Sequence, residues 1–299
     1  MKIYSAGNCA GLIARTFDER AKELAAVKEI LAAVRERGDE AVFAYEEKFD
    51  RTVLTRETFR VTEEEFAAAE RAVEPEFLVS LKKAIDNIYA YHVRVGRRDT
   101  VETKDGRTTG YVVRAVDHAG IYVPGGTAPL SSSVLMGVLP AKAAGVQHIV
   151  VVTPAKEGKV SPYTLAAAKA CGVTEVYKCG GAQAIAALAY GTESVPKADV
   201  IAGPGNIYVT LAKKEVYGQV GIDMLAGPSE ILIIADGTAD PAYVAADVLS
   251  QAEHAVLARA IVVTTDASLA EKIAAEVETQ LRKLPRERIA RSSVENGGG

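Results

Sequence analysis

Gln251 and His254 lie three residues apart in the segment "DVLSQAEHAV", which the sequence predicts to be helical. Residues at positions i and i+3 project from one face of a helix, so both side chains could reach a single metal ion or substrate. Histidine is a frequent zinc ligand, whereas neutral glutamine is an uncommon one. Spacing alone favours a structural histidine over a metal ligand. A metal or substrate site and a structural role therefore both stay open for this pair.

The other histidines and the cysteines give weaker signals. His92, His118 and His148 have no carboxylate or second histidine at metal-ligand spacing, and we interpret them as structural. Cys171 and Cys179 lie in apolar surroundings near strand and helix ends, where a buried, unreactive thiol is expected rather than a nucleophile. The chain has three cysteines in all, too few and too scattered for a disulfide framework or a cysteine-rich zinc site.

Glycine-rich loops follow four of the predicted strands: "YVPGGTAP", "KCGGAQA", "AGPGN" and "LAGPSE". Parallel sheets bind ligands at the carboxyl ends of their strands, and glycine lets the backbone approach a ligand such as a phosphate closely. Tight-turn chemistry explains any one of these loops, but four at one sheet edge favour a dinucleotide or a similar ligand. No loop has the G-x-G-x-x-G pattern of the ordinary dinucleotide-binding fingerprint.

Three polar side chains lie in these loops, where they could hydrogen-bond a ligand: Tyr122, Gln183 and Asn206. Two of them have plainer alternatives. Asn206 could simply cap the amino end of a helix, and Gln183 could be a solvated residue of a first helical turn.

The elements that would position these residues change along the chain. The first hundred residues have apolar residues at helical spacing, in one stretch ending at Gly38 and in another written "PEFLVSLKKAIDNIYAYHVRV". Alternation around Asp105-Gly106 predicts a hairpin. From Gly120 onward, short β-branched runs alternate with helical segments, which indicates an α/β fold with mostly parallel sheets covered on both faces.

The segment "IDMLAGPSE" separates two series of strands and helices and predicts a domain crossing. We expect one domain at residues 120–228 and a discontinuous one formed by residues 1–119 and 229–299. The second domain has too few strands to protect its sheet edges. Its strands "EILIIAD" and "AIVVTTD" are therefore predicted to pair with strands from residues 1–119.

The composition excludes several classes of protein. A net charge of −4 gives no reason to expect nucleic acid or an anionic membrane as a partner. No apolar run has the length of a membrane span, and the N-terminal segment lacks the apolar core of a signal peptide. The expectation is a reduced, cytoplasmic protein.

Longer blocks of sequence resemble the histidinol dehydrogenase family. The resemblance runs through "GIYVPGGTAPLSSSVLMGVLPAKAAGV", "GGAQAIAALAYGTESVPKADVIAGPGNIYVTLAK", "IDMLAGPSEILIIAD" and "DVLSQAEH". It implies two Rossmann-like α/β/α domains related to aldehyde dehydrogenases, a helical N-terminal part and a homodimer. It also implies oxidation of L-histidinol to L-histidine through histidinal, the last two steps of histidine biosynthesis, with NAD and zinc.

The resemblance also implies roles for individual residues. Tyr122, Gln183 and Asn206 match positions that bind NAD. Ser229 matches a substrate-binding serine, and Gln251 and His254 match two zinc ligands that also touch the substrate.

The family extends further than this chain, to an adjacent Glu-His pair of catalytic acid/base residues, an Asp zinc ligand and a His ligand from the partner subunit. The Glu253-His254 pair belongs to the zinc motif and is not that catalytic pair, so no catalytic residue is assigned here and the second domain is expected to be incomplete at its C-terminus. We therefore expect poor zinc binding and little turnover by this chain alone. The alternatives are an inactive chain that only binds NAD or partner subunits, and an aldehyde-dehydrogenase-like enzyme with a cysteine nucleophile.

Overall fold

The computed structural model describes residues 1–9, 20–125, 130–227 and 229–299. The chain forms two compact units, and each is described by itself. The larger unit is Arg20–Leu225, and the smaller one joins Met1–Glu19 to Ala226–Gly299. Part of the "YVPGGTAP" loop, residues 126–129, and the expected domain boundary at Pro228 lie outside the described residues.

The larger unit begins with helices, as the sequence predicted. They are α1 (Ala21–Arg37), α2 (Asp39–Asp50), α3 (Arg56–Phe59), α4 (Glu63–Ala72) and α5 (Pro75–Val95). Their limits follow local chemistry: Gly38 ends α1, and Thr62 and Glu65 form a reciprocal capping box at the start of α4.

The predicted hairpin follows α5. Strands β1 (Thr100–Lys104) and β2 (Arg107–Tyr111) are antiparallel, with Lys104 opposite Arg107. Asp105 and Gly106 form the turn with φ of 50° and 73°. A two-residue turn of this kind needs positive φ at both positions, which Asp and Gly accept readily.

A parallel sheet forms the centre of this unit. Its strands are β3 (His118–Tyr122), β4 (His148–Thr153), β5 (Glu175–Lys178), β6 (Val200–Ala202) and β7 (Gly221–Ile222). Helices alternate with them: α6 (Ser131–Ala143), α7 (Pro162–Ala170), α8 (Gly181–Tyr190) and α9 (Ile207–Val216). The strand order is β5-β4-β3-β6-β7, and every neighbouring pair is parallel.

Both faces of this sheet are covered, as predicted. Successive residues of β4 alternate between two hydrophobic clusters: Val150 and Val152 belong to one, and Val151 to the other. The first cluster includes residues of α1, α2, α8 and α9, and the second includes residues of α4, α5, α6 and α7. The mixed α/β fold class with parallel sheets is therefore confirmed.

The structure divides the chain differently from the predicted domains 1–119 with 229–299 and 120–228. Helix α1 packs on α8 and α9, α4 packs on α7, and α5 packs on α6, so residues 20–119 belong with the central sheet. The chain also joins the sheet edge, where the Val61 N–H donates to the Val176 carbonyl at 2.9 Å. The helices need a large apolar surface for their buried faces, and the central sheet supplies it.

The smaller unit contains β8 (Glu230–Ala235), α10 (Pro241–Ala252), β9 (Arg259–Thr264), α11 (Ala267–Leu281) and α12 (Glu287–Gly297). Strands β8 and β9 are parallel, and within the described ranges they pair with each other and not with a strand of residues 1–119. The expected pairing with residues 1–119 is therefore wrong. The hairpin is the only predicted source of strands among those residues, and it belongs to the larger unit. The backbone of Gly299 bonds to β9 instead. Its N–H donates to the Ala260 carbonyl, and its carbonyl accepts from the Val262 N–H. No helix in the described part of the chain is long and apolar enough to cross a bilayer.

Candidate functional site

The order of the strands reverses between β3 and β6. From β3 the chain proceeds outward to β4 and β5 on one side, and then returns to β6 and β7 on the other. In open parallel sheets, the loops on either side of such a reversal diverge and leave a crevice at the carboxyl ends of the strands, where ligands bind. Tyr122 ends β3, and the loop Gly203–Asn206 follows β6, so two of the three predicted cofactor residues lie at this crevice.

The loop after β6 approaches the end of β3 closely. Gly203 has a φ of +128°, and a Cβ atom at this position would lie 2.1 Å from the Tyr122 carbonyl oxygen. Both the backbone conformation and the lack of space require glycine here. The glycine of the "AGPGN" motif therefore has a packing role that is independent of any ligand.

Asn206 caps the amino end of α9. Its Oδ1 accepts hydrogen bonds from the N–H groups of Tyr208 at 3.0 Å and Val209 at 3.2 Å. The plain alternative raised from the sequence, a helix N-cap, is therefore confirmed. The cap occupies the side-chain oxygen, so the Nδ2 amide is the group that Asn206 could offer to a ligand.

Tyr122 is 3% exposed, and its hydroxyl oxygen accepts a hydrogen bond from the Gly181 N–H at 3.2 Å. Burial keeps the pKa of the Tyr122 hydroxyl well above its usual value, so the group stays protonated. The oxygen is used within the protein, and the hydroxyl hydrogen remains as a donor.

Gln183 lies in the first turn of α8 and is 2% exposed, so the alternative of a solvated residue is wrong. Its Nε2 amide donates to Glu46 Oε1 at 2.8 Å, and the Gly180 N–H donates to the same oxygen at 2.9 Å. Glu46 is not among the site residues predicted from the sequence. Its signal was present, because Glu46 follows the apolar Val42 by four residues and therefore lies on the same, buried face of α2.

The two cysteines in this unit are buried. Burial raises the pKa of Cys171 to about 11 and that of Cys179 well above its usual value, so both are thiols rather than thiolates at neutral pH. This agrees with the interpretation of unreactive cysteines and gives no support to a cysteine nucleophile.

The paired histidines His118 and His148 lie at the amino ends of β3 and β4, at the opposite edge of the sheet from the Tyr122 carbonyl. Their rings stack with centroids 4.7 Å apart and an interplanar angle of 13°. The structural interpretation of these histidines remains a prediction.

The predicted zinc and substrate residues belong to the smaller unit. Gln251 is in the last turn of α10, but His254 lies beyond the helix, and its N–H donates to the Gln251 carbonyl at 3.1 Å. The prediction that both side chains project from one helix is therefore wrong, since α10 ends at Ala252. Ser229 is exposed directly before β8, and its carbonyl accepts from the Arg259 N–H.

The Gln251 side chain has a buried Nε2 atom with no hydrogen-bond partner among the described residues. The two ends of an amide exchange by a 180° rotation, so either the oxygen or the nitrogen can occupy this position. A buried polar atom without a partner is costly, so the position suits a side chain that binds a ligand or an ion. Within the described ranges, no group of three or more His, Cys, Asp or Glu side chains is placed to hold a metal ion. The buried, unpartnered amide of Gln251 is the observation at this position that fits a metal ligand.

The fold and the crevice define a class of protein: a doubly wound α/β protein. In this class, the crevice lies at the carboxyl ends of the strands, where the strand order of the parallel sheet reverses. The family model for histidinol dehydrogenase matches residues 14–299. The chain belongs to the histidinol dehydrogenase family.

Individual relatives are similar over almost the whole chain. Histidinol dehydrogenase from Bacillus cereus is 54% identical over 273 residues, which cover 91% of this chain and 63% of the relative. The Moorella thermoacetica protein of the same name is 55% identical over 276 residues, with 92% and 65% covered. The crystal structure of histidinol dehydrogenase from Elizabethkingia anophelis matches with a TM-score of 0.93 at 39% identity, covering 99% of this chain and 69% of that one. This chain therefore spans about two thirds of its relatives' length.

Proposed function

We propose that this chain serves the NAD- and zinc-dependent oxidation of L-histidinol to L-histidine through histidinal, the reaction of the family it belongs to. The observation that supports this most is the reversal of strand order at β3 and β6, because it brings Tyr122 and the Asn206 loop to one crevice. Gln183 is connected to the same crevice through Gly181. The Gly181 N–H donates to the Tyr122 hydroxyl, and Gln183 follows Gly181 by two residues in α8.

The contacts favour recognition of the dinucleotide by side chains. The N–H groups of Gly180 and Gly181 bond to Glu46 and Tyr122, so they are not free to hold a phosphate in the usual way. The Tyr122 hydroxyl and the Asn206 Nδ2 amide are the donors that remain. This agrees with the lack of a G-x-G-x-x-G motif.

Gln251 and His254 would hold zinc in the smaller unit, and Ser229 would contact the substrate. Zinc bound by these residues would supply Lewis-acid polarisation of the substrate oxygen, and bound NAD would supply a hydride acceptor. A catalytic zinc usually has three protein ligands, of which these two residues would be a part. The homodimer and the cytoplasmic location implied by the resemblance are part of the same proposal.

Calorimetric titration with NAD tests the cofactor assignment. We expect Tyr122→Phe to weaken binding by roughly five- to tenfold, the usual effect of one lost hydrogen bond. Tyr217→Phe is the matched control, since Tyr217 is 69% exposed in the same unit. Equal affinity of both variants and the unaltered chain would contradict the role of Tyr122, and no binding by the folded, unaltered chain would contradict the function.

NADH formation after the addition of histidinol measures turnover. Because the chain spans 63% of its Bacillus cereus relative, its rate should be compared with that of the full-length relative. The same assay separates the enzyme from a chain that binds ligands without turnover.

A further inference from the structure

Glu46 connects three parts of the predicted cofactor site. Its side chain is fully buried at 0% exposure, and one oxygen, Oε1, accepts from both the Gly180 N–H and the Gln183 amide. These bonds determine which end of the Gln183 amide points toward α2. The amide oxygen then lies at the Gly181 backbone, 2.8 Å from where a Cβ of that glycine would be.

Gly181 links this arrangement to Tyr122. Its N–H donates to the Tyr122 hydroxyl, and its φ of +57° is a left-handed conformation that favours glycine. Glu46 therefore supports, through two hydrogen bonds, the turn that also carries the contact to Tyr122.

The other oxygen of Glu46 accepts no such hydrogen bond from an N–H group of the described residues. Its Oε2 is buried and has no partner within 3.5 Å in the described part of the chain, but the Asp50 carboxyl is near enough to share a proton with Glu46. The titratable groups that face Glu46 are Asp50 of the same helix, Tyr122 of β3 and Cys179 after β5, and none of them is cationic. Asp39 adds a further negative charge near Cys179.

This environment favours the neutral acid. Burial raises the pKa of Glu46 to about 8 and outweighs the hydrogen bonds from Gly180 and Gln183, which lower it. The negative charge of Asp50 and a hydrogen bond with its carboxyl add to the rise. With the proton on Oε2, the carbonyl-like Oε1 still accepts both hydrogen bonds. Loss of the proton places an uncompensated negative charge beneath the turn that the anionic cofactor would contact.

We propose that Glu46 is a positioning residue of the dinucleotide site, which orients the Gln183 amide through its Oε1 and weakens binding of the anionic cofactor when it ionises. This inference rests on the proposed function. It differs from a purely structural role because it makes cofactor affinity depend on the charge of a side chain that the cofactor does not touch.

The experiment measures the NAD dissociation constant by calorimetry between pH 6 and pH 9 for the unaltered chain, Glu46→Gln, Glu46→Ala and the control Glu47→Gln. Glu47 is the neighbouring, exposed glutamate of the same helix. For the unaltered chain and the control, affinity should fall by up to about tenfold over this range, because about nine tenths of a group with a pKa near 8 is ionised at pH 9.

Glu46→Gln keeps the accepting oxygen but cannot ionise, so its affinity should match the unaltered chain at pH 6 and stay level up to pH 9. Glu46→Ala should bind weakly at every pH, since the Gln183 amide loses its partner. Thermal melting at each pH restricts the comparison to folded protein. A Glu46→Gln profile that falls like that of the unaltered chain would overturn the proposal and leave the function standing. No NAD binding by the unaltered chain would overturn both.

Discussion

Lys213 and Asp223 form an ion pair that fixes the backbone of Gly203 at the crevice between β3 and β6. Lys213 Nζ also donates to the Gly203 carbonyl at 3.0 Å, and Asp223 Oδ2 accepts from the Gly203 N–H at 2.9 Å. The Lys213 side chain is 2% exposed, whereas that of Asp223 is 35% exposed. Two side chains from α9 and from the end of β7 thus satisfy both polar groups of one loop residue.

Removal of the lysine charge should destabilise the larger unit. Lys213→Met leaves the Gly203 carbonyl without a partner and removes the cation beside Asp223, which keeps its bonds from the N–H groups of Gly203 and Met224. We expect a cost of about 2–3 kcal/mol, less than for a fully buried pair because Asp223 is partly solvated. Denaturant unfolding measures the change, and Lys214→Met, at the next and exposed position, is the control. Equal stability of the two variants would show that the pair contributes little.

Substitution of Gly203 should separate steric conflict from backbone strain. Gly203→Ala places a Cβ 2.1 Å from the Tyr122 carbonyl oxygen, and we expect a loss of about 3 kcal/mol or more. Gly218→Ala is the matched control, because Gly218 also has a positive φ (+99°) but no atom within 4 Å of the added Cβ. It should cost only about 1 kcal/mol, and thermal unfolding compares the two. Similar losses in both variants would contradict the close approach of this loop to β3.

Asn206 offers a test that distinguishes folding from cofactor binding. Aspartate caps helices as well as asparagine does, so Asn206→Asp should keep its stability, whereas Asn206→Ala should lose about 1 kcal/mol. The aspartate lacks the Nδ2 donor and adds a negative charge near the anionic cofactor. We expect NAD affinity to fall by at least about tenfold in the stable Asn206→Asp variant, measured by calorimetry. Unchanged affinity would leave Asn206 with the capping role alone.

The sequence was sufficient for the elements whose signals are local. The hairpin turn follows from Asp105-Gly106, and the parallel sheet follows from β-branched runs such as that of β4 separated by helical segments. It was insufficient for the partners of the early helices, because an apolar stripe such as Val27–Val34 states which face is buried but not which surface covers it. The end of α10 at Ala252 had no glycine or proline to mark it, so His254 was assigned to the helix.

The same distinction holds for the candidate site. The polar residues at strand ends could be located from the sequence, but their internal partners could not, since Glu46 and Gln183 are 137 residues apart in the chain. A charged residue on an apolar helix face is a usable signal, and it identifies the burial of Glu46 without identifying its partner.

Neutralisation of Glu46 should change how stability depends on pH. The pKa of Glu46 rises from 4.5 to about 8 in the folded protein, so the folded state retains a proton that the unfolded state loses from about pH 4.5 upward. The stability linked to this proton is complete below pH 4.5 and is lost as the pH approaches 8. Glu46→Gln should therefore gain stability relative to the unaltered chain between pH 5 and pH 8, measured by thermal melting. The pKa of the half-buried Asp50 is also raised, so the stability of Glu46→Gln should still fall as the pH rises, but by less than that of the unaltered chain. A constant difference across this range would contradict ionisation of Glu46.

Zinc binding should depend on His254 and remain weak. Gln251 and His254 offer one neutral oxygen and one imidazole nitrogen, and neither carries the negative charge that stabilises most bound zinc ions. Competition with a coloured chelator measures the zinc affinity of the chain, and we expect His254→Ala to lower it by at least about tenfold. His148→Ala is the control, because His148 is an exposed histidine in the larger unit with its ring stacked on His118. Gln251→Leu should weaken zinc binding less than His254→Ala, since amide oxygen is the poorer ligand, and should remove the buried polar atom that has no partner. Equal zinc affinities for His254→Ala and His148→Ala would show that the predicted metal residues do not form the site.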